Sequence, residues 1–308
     1  MGEENIKKNK VPEFLYNMLV EQYGENITNK IIEGYSKKRK VTLRSNTLKT
    51  NEKSIKEKLN DNNINFNKIE WYNDAFIIEN VREDALKELD IFENGEIYLQ
   101  SLSSMIPPVV LSPQKNENIL DMTAAPGGKT TQMAALSNNE SMITACEKNK
   151  IRSDRLKYNL EKQGATRVNV MLEDARYLSD YFSFDKILLD APCSGSGTLY
   201  LEDKNLCKYF TKELVEKSIK AQEQLLTKAL KILKPNGEMV YSTCSILAKE
   251  NENILNKVLK RFNAEIIPID KNNFNNVPLL PTKLEGVLCV YPNEIYEGFF
   301  VARIKKKS

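Results

Sequence analysis

The spacing of apolar residues in the first hundred positions predicts a small unit of helices and strands. Phe14, Leu15 and Met18 recur at helical spacing, which predicts helices over residues 11–36. The pattern then predicts a strand, a helix and two strands or one bent hairpin, at residues 41–48, 54–59, 66–69 and 75–78. This order is typical of a small α+β unit over about residues 1–95, with the turn signal Asn94-Gly95 at its end.

A different pattern begins near residue 117. Short apolar runs alternate there with helical stretches, and they lie at residues 119–121, 142–147, 168–174, 187–190 and 239–241. Alternating strands and helices predict an α/β domain over residues 96–308, with a mostly parallel sheet and helices on both faces. Ligands of such sheets bind at the carboxyl ends of the strands, so we expect a site at that edge.

The segment after the first of these runs is rich in small residues and opens a predicted helix. Its candidate ligand-binding residues are Thr123, Ala124, Ala125, Pro126, Gly127, Gly128 and Lys129. Small residues let the backbone approach a ligand, and a helix N-terminus offers N–H groups to an anion. A nucleotide P-loop would need glycine where Thr123 stands, and the dinucleotide pattern G-x-G-x-x-G is absent. The loop therefore favours a ligand with a carboxylate and an adenosine but no pyrophosphate.

Acidic residues follow the next two runs. Glu147 is predicted to end the second strand, where a carboxylate can accept hydrogen bonds from both ribose hydroxyls. Asp174 is predicted to end the third strand and to reach an adenine amino group. Strand ends often carry acids for solubility alone. Three acids in register, with Asp121, behind a glycine-rich loop favour a nucleoside cofactor.

The composition restricts the chemistry that can occur at this edge. The 308 residues include no histidine, which excludes Ser-His-Asp catalysis, Cys-His catalysis and every histidine-based metal site. No two cysteines lie within four residues of each other, which disfavours a zinc site, so we expect no metal. Acid–base chemistry must then use Asp, Glu, Lys, Tyr or Cys.

Two of the five cysteines are candidates for chemistry. Cys193 and Cys244 lie on small-residue turns after the fourth and fifth predicted strands. A thiol attacks as a thiolate, and Lys129 is the candidate cation that would favour that form. The remaining three are interpreted as inert, buried side chains: Cys146, Cys207 and Cys289.

Charge and the N-terminus indicate where the protein acts. Residues 28–58 carry ten Lys or Arg against three Glu, which is either a phosphate-contacting strip or a solvated lysine-rich face. The N-terminus has no apolar signal region, and no run approaches the ~18 apolar residues of a membrane span. These patterns predict a cytoplasmic protein with no membrane partner, and we expect a monomer.

Taken together, these segments resemble the Sun/Fmu-type RNA (cytosine-5)-methyltransferases of the bacterial ribosomal-RNA branch. The similarity covers almost the whole chain, and the matching motifs lie at residues 44–49, 100–105, 124–130, 190–195, 242–245 and 298–302. Arg152 stands at the usual spacing from Glu147. The resemblance implies a Rossmann-like S-adenosylmethionine-dependent methyltransferase domain preceded by a small α+β RNA-binding domain.

The resemblance also implies a role for each site residue. Cys244 would attack C6 of a target cytosine, and Cys193 would assist loss of the C5 proton and release of the enzyme. Asp190 would hold the base edge and can protonate N3, while Lys129 would support the cofactor loop or the thiolate. The implied S-adenosylmethionine site comprises residues 123–129, Glu147, Arg152, Asp174 and Asp190. The implied partner is RNA, with ribosomal RNA favoured over transfer RNA because of Glu147.

Two other functions compete with this interpretation. A DNA cytosine methyltransferase would use Cys193 as its nucleophile, but its usual Glu-Asn-Val-type motif is absent after Cys193. A non-enzymatic RNA-binding factor would keep only the scaffold, and it would have little reason to retain both cysteines with Asp190 and Lys129. Each alternative has a direct test, since the first predicts activity on duplex DNA and the second predicts no binding of S-adenosylmethionine.

Overall fold

The computed structural model describes residues 10–203 and 209–308, so Cys207 lies outside the described residues. The helices are α1 Glu13–Tyr35, α2 Glu52–Asp61, α3 Glu83–Lys87, α4 Asp90–Glu93, α5 Leu102–Leu111, α6 Gly128–Leu136, α7 Lys150–Gln163, α8 Lys212–Ile232 and α9 Glu252–Leu259. The strands are β1 Val41–Ser45, β2 Phe66–Lys68, β3 Ala75–Ile78, β4 Ile97–Leu99, β5 Asn118–Asp121, β6 Met142–Cys146, β7 Val168–Met171, β8 Phe184–Asp190, β9 Leu233–Thr243, β10 Ala264–Ile267, β11 Leu288–Val290 and β12 Phe299–Lys306.

The N-terminal strands form a small antiparallel sheet in the order β2-β3-β1-β4. Helix α2 contributes Ile55 and Leu59 to the core beneath it, as its helical spacing predicts. The predicted hairpin of β2 and β3 is confirmed. Strand β4 pairs with β1, so the small sheet takes its fourth strand from beyond the boundary placed at residue 95.

The predicted helices over residues 11–36 are present as α1, which is broken at Gly24 where φ is +76°. This helix does not cover the small sheet. Its buried residues Leu15, Leu19 and Ile31 belong to the core of the larger sheet, together with residues of α8. Tyr23 also donates a hydrogen bond of 2.6 Å to the carbonyl of Ile246. The first helix of the predicted N-terminal unit is therefore packed on the second domain.

The larger sheet follows the order β10-β12-β9-β8-β5-β6-β7, with β11 paired to β12. Neighbours from β7 through to β9 are parallel, whereas β12 and β10 are antiparallel. The predicted mostly parallel sheet is confirmed. The third predicted run ends early, because β7 pairs with β6 only as far as the Cys146–Met171 pair. The expectation that Asp174 ends this strand is therefore wrong.

Alternate residues of each strand enter two separate cores, one on each face of the sheet. Ile187 and Leu189 share a core with Leu225 of α8, while Leu188 between them shares the other core with Met105 of α5. Helices therefore cover both faces, as predicted. Because both faces are buried, the central strands consist of nearly continuous apolar residues.

The order of the strands creates a crevice beside β5. The chain leaves β5, adds β6 and β7 on one side, and returns to place β8 on the other side. The connections after β5 and β8 therefore separate at the carboxyl ends of these strands, where parallel sheets bind ligands. The two segments that meet there are the loop after Asp121 and the turn after Asp190. Among the described residues, no helix is both long enough and apolar enough to cross a bilayer.

Candidate active site

A buried carboxylate, that of Asp121, stabilises the loop after β5 by hydrogen bonds. Asp121 is 1% exposed, and it accepts hydrogen bonds from the hydroxyl of Thr130 at 2.7 Å and from the amide of Thr123 at 3.4 Å. These contacts join the first residue of the loop region to the helix that follows it. Burial raises the pKa of the Asp121 carboxyl to about 6, although both hydrogen bonds oppose that shift.

Helix α6 begins where there is no room for side chains. Gly127 has a φ of +112°, and a β-carbon there would lie 3.0 Å from Cδ1 of Leu156. A β-carbon on Gly128 would lie 3.2 Å from the ring of Tyr98. The start of α6 therefore packs closely against α7 and β4, and glycine at these two positions permits that approach.

A cavity of about 250 Å³ opens beside this loop. Its walls include most of the predicted cofactor residues together with Asp190: Asp121, Thr123, Ala124, Ala125, Pro126, Gly128, Lys129 and Asp190. Further walls come from β4, from the start of α5 and from the residues between them, namely Tyr98, Leu99, Gln100, Ser101 and Ser104. None of these wall residues was chosen as a site residue from sequence, although residues 100–105 match a family motif.

Glu147 and Arg152 adjoin the loop without lining this cavity. The carboxylate of Glu147 is buried, and it accepts a hydrogen bond of 2.8 Å from the amide of Asn149. The guanidinium of Arg152 lies 3.2 Å from the other Glu147 oxygen, and it donates a hydrogen bond of 2.7 Å to the carbonyl of Ala125. Arg152 therefore connects Glu147 to the loop, which keeps the three features in one place.

Asp174 is not one of the residues that line the cavity. It lies beyond the end of β7, and its carboxylate accepts hydrogen bonds from the guanidinium of Arg176 at 2.6 to 3.2 Å. These hydrogen bonds, together with the charges of Arg176 and Lys148, lower the pKa of the Asp174 carboxyl. The structure brings the other predicted cofactor residues together but pairs Asp174 with an arginine.

Lys129 and Asp190 form an ion pair at the cavity wall, with 2.7 Å between Nζ and Oδ2. The Lys129 Nζ also donates a hydrogen bond to the hydroxyl of Ser104. The other oxygen of Asp190 accepts a hydrogen bond of 2.8 Å from the hydroxyl of Ser242. Burial alone would lower the pKa of Lys129. The negative charges of Asp190 and Asp121, with Cys244, outweigh burial and raise it. The cation therefore persists in a buried position beside Cys244.

The two candidate cysteines meet at the ends of β8 and β9. Their sulfur atoms lie 2.8 Å apart, and the amide of Gly197 donates 2.9 Å to the carbonyl of Cys244. The hydrogen bond with Cys244, followed by burial, raises the pKa of Cys193 well above its usual range. Cys193 is therefore a thiol that can donate to the sulfur of Cys244.

A further residue near the two cysteines was missed from sequence. Glu250 lies on the short turn Ala248–Glu250 after Cys244, and its side chain is fully buried. Its carboxylate accepts hydrogen bonds from Ser194 and Ser245, the residues that directly follow the two cysteines. In the sequence, Glu250 is one of several charged residues in the run Lys249-Glu250-Asn251-Glu252. Nothing in that run indicates that Glu250 is buried, so only the tertiary structure shows it.

The basic segment at residues 28–58 is not one continuous face. Arg44 is fully buried, where it donates to Gln100 at 2.9 Å and to Thr131 at 2.7 Å. Arg39 donates to the carbonyls of residues 197–199 after Cys193. Four of the lysines pair with carboxylates: Lys37, Lys40, Lys56 and Lys58. Much of the segment is therefore structural rather than free for phosphate.

Two of the cysteines interpreted as inert are indeed buried. Burial raises the pKa of the Cys146 thiol and of the Cys289 thiol to about 12. A thiol that stays protonated at neutral pH is a poor nucleophile. Cys146 and Cys289 are buried singly, whereas the sulfur atoms of Cys193 and Cys244 are in contact. This contact distinguishes the candidate pair from the other described cysteines.

The fold and the site define a Rossmann-like methyltransferase with a ferredoxin-like N-terminal domain. The chain belongs to the family described as 16S rRNA methyltransferase RsmB/F, whose model matches residues 108–305. A second family model, for an RsmF/B-like ferredoxin-like domain, matches residues 11–83. The family resemblance inferred from the motifs is confirmed.

Known proteins with similar sequences and structures agree with this assignment. The ribosomal RNA small subunit methyltransferase F of Shewanella piezotolerans is 34% identical over 89% of this chain, which spans only 59% of that relative. A methyltransferase homolog protein from Pyrococcus horikoshii is 30% identical, with a TM-score of 0.80 over 96% of this chain and 100% of that one. NSun6 from Pyrococcus horikoshii shares the fold, with 23% identity and a TM-score of 0.85 over 96% and 98% of the two chains.

Proposed function

We propose that this protein transfers a methyl group from S-adenosylmethionine to C5 of a cytosine in ribosomal RNA, through a covalent bond between Cys244 and C6. The observation that carries this proposal is the contact between Cys193 and Cys244 beside the Lys129–Asp190 ion pair. A reaction that adds a nucleophile at C6 and later removes a proton at C5 needs two such groups on one side of the base.

The residues around the loop suit the proposed cofactor. Gly128 leaves no space for a side chain, the start of α6 offers N–H donors, and Glu147 supplies a carboxylate for ribose hydroxyls. When bound, S-adenosylmethionine supplies an electrophilic methyl group. Arg152 would orient Glu147 and the loop. Asp174 would reach the adenine only after its ion pair with Arg176 opened.

The residues of the chain divide the proposed reaction among them. The Cys244 sulfur adds to C6 as a thiolate, for which Lys129 supplies a nearby cation. Asp190, held by Lys129 and Ser242, orients the base edge and relays to N3 the proton that the Cys244 thiol gives up, and N3 returns this proton when the C6–sulfur bond breaks. After C5 accepts the methyl group, Cys193 assists loss of the C5 proton. The C6–sulfur bond then breaks and Cys244 is regenerated.

The pKa of Cys193 argues against the DNA-methyltransferase alternative. That alternative makes Cys193 the nucleophile, but the contact with Cys244 and burial both raise the pKa of Cys193, which disfavours its thiolate form. Lys129 instead interacts with Cys244. The site therefore favours Cys244 as the attacking residue and Cys193 as its assistant.

Ribosomal RNA is the proposed substrate because the family description and the curated relatives name it. We propose that the N-terminal unit, delimited from sequence at residues 1–95, contacts RNA and that residues 96–308 perform the reaction. The exposed lysines Lys30, Lys38 and Lys53 are its candidate phosphate contacts. The target base must leave its stack to reach the half-buried Cys193 and Cys244, so a loop or flipped cytosine is expected.

The proposal is tested with purified protein, methyl-labelled S-adenosylmethionine and unmodified ribosomal RNA, transfer RNA and duplex DNA in separate reactions. Mass spectrometry of digested nucleosides should find labelled 5-methylcytidine in ribosomal RNA. Cys244→Ala should abolish the product, and Cys193→Ala should trap a protein–RNA adduct on a denaturing gel. Cys289→Ala, at a buried cysteine away from the pair, is the matched control.

Several results would contradict this proposal. Normal turnover by Cys193→Ala without an adduct would remove the two-cysteine assignment. Product in duplex DNA alone would favour the DNA methyltransferase. No thermal stabilisation by millimolar S-adenosylmethionine would favour a non-enzymatic RNA-binding factor.

A further inference from the structure

A single buried carboxylate joins the two chain segments that carry the candidate cysteines. Glu250 accepts four hydrogen bonds, and its side chain has no exposed surface. One oxygen accepts from the amide of Ser194 at 2.8 Å and from Gln222 at 3.2 Å. The other accepts from the hydroxyls of Ser194 at 2.5 Å and Ser245 at 2.6 Å. Both oxygens are therefore satisfied by protein donors.

The donors stand at equivalent places in the two segments. Ser194 directly follows Cys193, and Ser245 directly follows Cys244. Gln222 of α8 extends the connection, because the same amide that reaches Glu250 also donates 3.0 Å to the carbonyl of Pro192. The turn after β8 is thus attached to Glu250 on both sides of Cys193.

A buried carboxylate tolerates little displacement of its donors. Moving the Ser194 segment away would remove one donor from each oxygen of Glu250, and moving the Ser245 segment away would remove one of the two donors of the second oxygen. Because the side chain has no exposed surface, a lost donor is not replaced by bulk water, so either motion is unfavourable. Hydrogen bonds to a charged acceptor are also the stronger kind. Glu250 therefore resists any motion that separates the two segments.

We propose that Glu250 is a positioning residue that holds the sulfur atoms of Cys193 and Cys244 together, by connecting Ser194 and Ser245. This rests on the proposed function for its consequence in catalysis, although the geometry itself is independent of the reaction. Glu250 acts through the two serines, so its effect should appear in the reaction rate and not in the affinity for cofactor or RNA.

The test compares Glu250→Met, which removes every acceptor at similar volume, with Glu250→Gln. The glutamine amide can still accept from the Ser194 amide, and its NH₂ group can donate to the serine hydroxyls, which are able to rotate. Glu252→Met is the matched control, since Glu252 is buried two residues further along and the hydrogen bonds to Ser194 and Ser245 are made by Glu250.

The first measurement reports the distance between the thiols without requiring methyl transfer. Diamide removes two electrons and two protons from a pair of adjacent thiols and leaves a disulfide, and peptide mass spectrometry measures how fast Cys193 and Cys244 become linked. The second measurement is steady-state methylation, with kcat and KM determined separately, alongside the Kd for S-adenosylmethionine.

Glu250→Met should slow both disulfide formation and kcat by ~10-fold or more, because misplacement by about 1 Å costs up to ~100-fold in rate. KM and the cofactor Kd should stay within about twofold. Glu250→Gln should recover most of both rates, and Glu252→Met should match the wild type. If Glu250→Met formed the disulfide at the wild-type rate and had the wild-type kcat, the proposal would be overturned.

A second variant keeps the proposal testable if Glu250→Met does not fold. Ser194→Ala removes one hydroxyl donor to Glu250 and leaves the backbone bond in place, so a slowing of several-fold is expected in both measurements. Unchanged rates would then reject the role. If the wild-type protein methylates no RNA but Glu250→Met still forms the disulfide more slowly than the wild type, the proposed function fails while the geometric role of Glu250 stands.

Discussion

The amide of Gly298 donates a hydrogen bond of 2.8 Å to the carbonyl of Gly197, and neither residue has room for a β-carbon. Gly197 belongs to the segment after Cys193, whereas Gly298 directly precedes β12. A β-carbon on Gly197 would lie 1.9 Å from the Gly298 carbonyl oxygen, and one on Gly298 would lie 2.7 Å from Ile246. This contact holds the segment after Cys193 against the antiparallel side of the large sheet.

Gly197→Ala should therefore displace that segment and slow the reaction. We expect a loss of about 1–3 kcal/mol in the free energy of unfolding, as overpacking produces, with a fall in kcat. Denaturant melts and diamide linkage of Cys193 to Cys244 measure the two effects. Gly24→Ala is the control, because its β-carbon meets nothing within 4 Å and it loses stability through backbone strain alone. It should leave diamide linkage of Cys193 to Cys244 unchanged, and equally fast linkage in Gly197→Ala would contradict the steric account.

Asp121 predicts a specific pH dependence of stability. Its pKa is about 6 in the folded protein against 3.8 ordinarily, so the folded state binds more protons than the unfolded state between about pH 4 and 6. Stability from this group is therefore present below pH 4 and lost as pH rises to 6, by about 3 kcal/mol.

The Asp121→Asn variant should lack this decrease of the free energy of unfolding with rising pH. Because carboxylates with lowered pKa values, such as Asp174, impose the opposite slope, the informative quantity is the difference between variant and wild type. Urea melts from pH 4 to pH 7 should show Asp121→Asn gaining relative to wild type as pH rises. Parallel stability curves would show that Asp121 does not change its protonation in this range.

Lys129 should accelerate reactions of the Cys244 sulfur even without RNA. Its cation is buried, paired with Asp190 and in electrostatic contact with Cys244. Lys129→Met should slow alkylation of Cys244 by iodoacetamide at pH 7 by ~10-fold, the equivalent of ~1.4 kcal/mol. Peptide mass spectrometry measures it, with the exposed Lys148→Met as control. An unchanged rate would leave Lys129 with a role in the cofactor loop alone.

Arg44 connects the small sheet to the cofactor loop and should resist conservative replacement. Its guanidinium reaches Gln100, Thr131 and the carbonyl of Gly128, and lies 5.1 Å from the centre of the Tyr98 ring. A lysine has no planar fork to make these contacts together. Arg44→Lys should lose about 2 kcal/mol of stability and weaken S-adenosylmethionine binding several-fold.

Calorimetry and denaturant melts would measure both effects of Arg44→Lys. Lys40→Met offers a comparison, because Lys40 makes an exposed ion pair with Glu79 in the same region. If Arg44→Lys bound the cofactor as tightly as the wild type, the small sheet would not support the cofactor loop.

Local features of the chain could be predicted from its sequence because they depend on neighbouring residues. Periodicity located β5, β6 and β8, and glycine and proline spacing located the loop at residues 123–129. The cysteine turns at 193 and 244 could be recognised for the same reason. The third run was predicted to extend to Asp174, which is too far. A strand ends where its pairing with a neighbouring strand ends, and the residues of β7 do not indicate where β6 ends.

The sequence by itself determined the two architectures, the glycine-rich loop and the identity of the two thiols. The tertiary structure alone decided that Cys193 and Cys244 touch and that Arg44 is buried rather than exposed. It also decided that Glu250 is buried and accepts hydrogen bonds from Ser194 and Ser245. The physical reason is that a side chain's hydrogen-bond partners and its exposure depend on which strands and helices become neighbours. That order follows from the packing of the whole chain rather than from any local pattern.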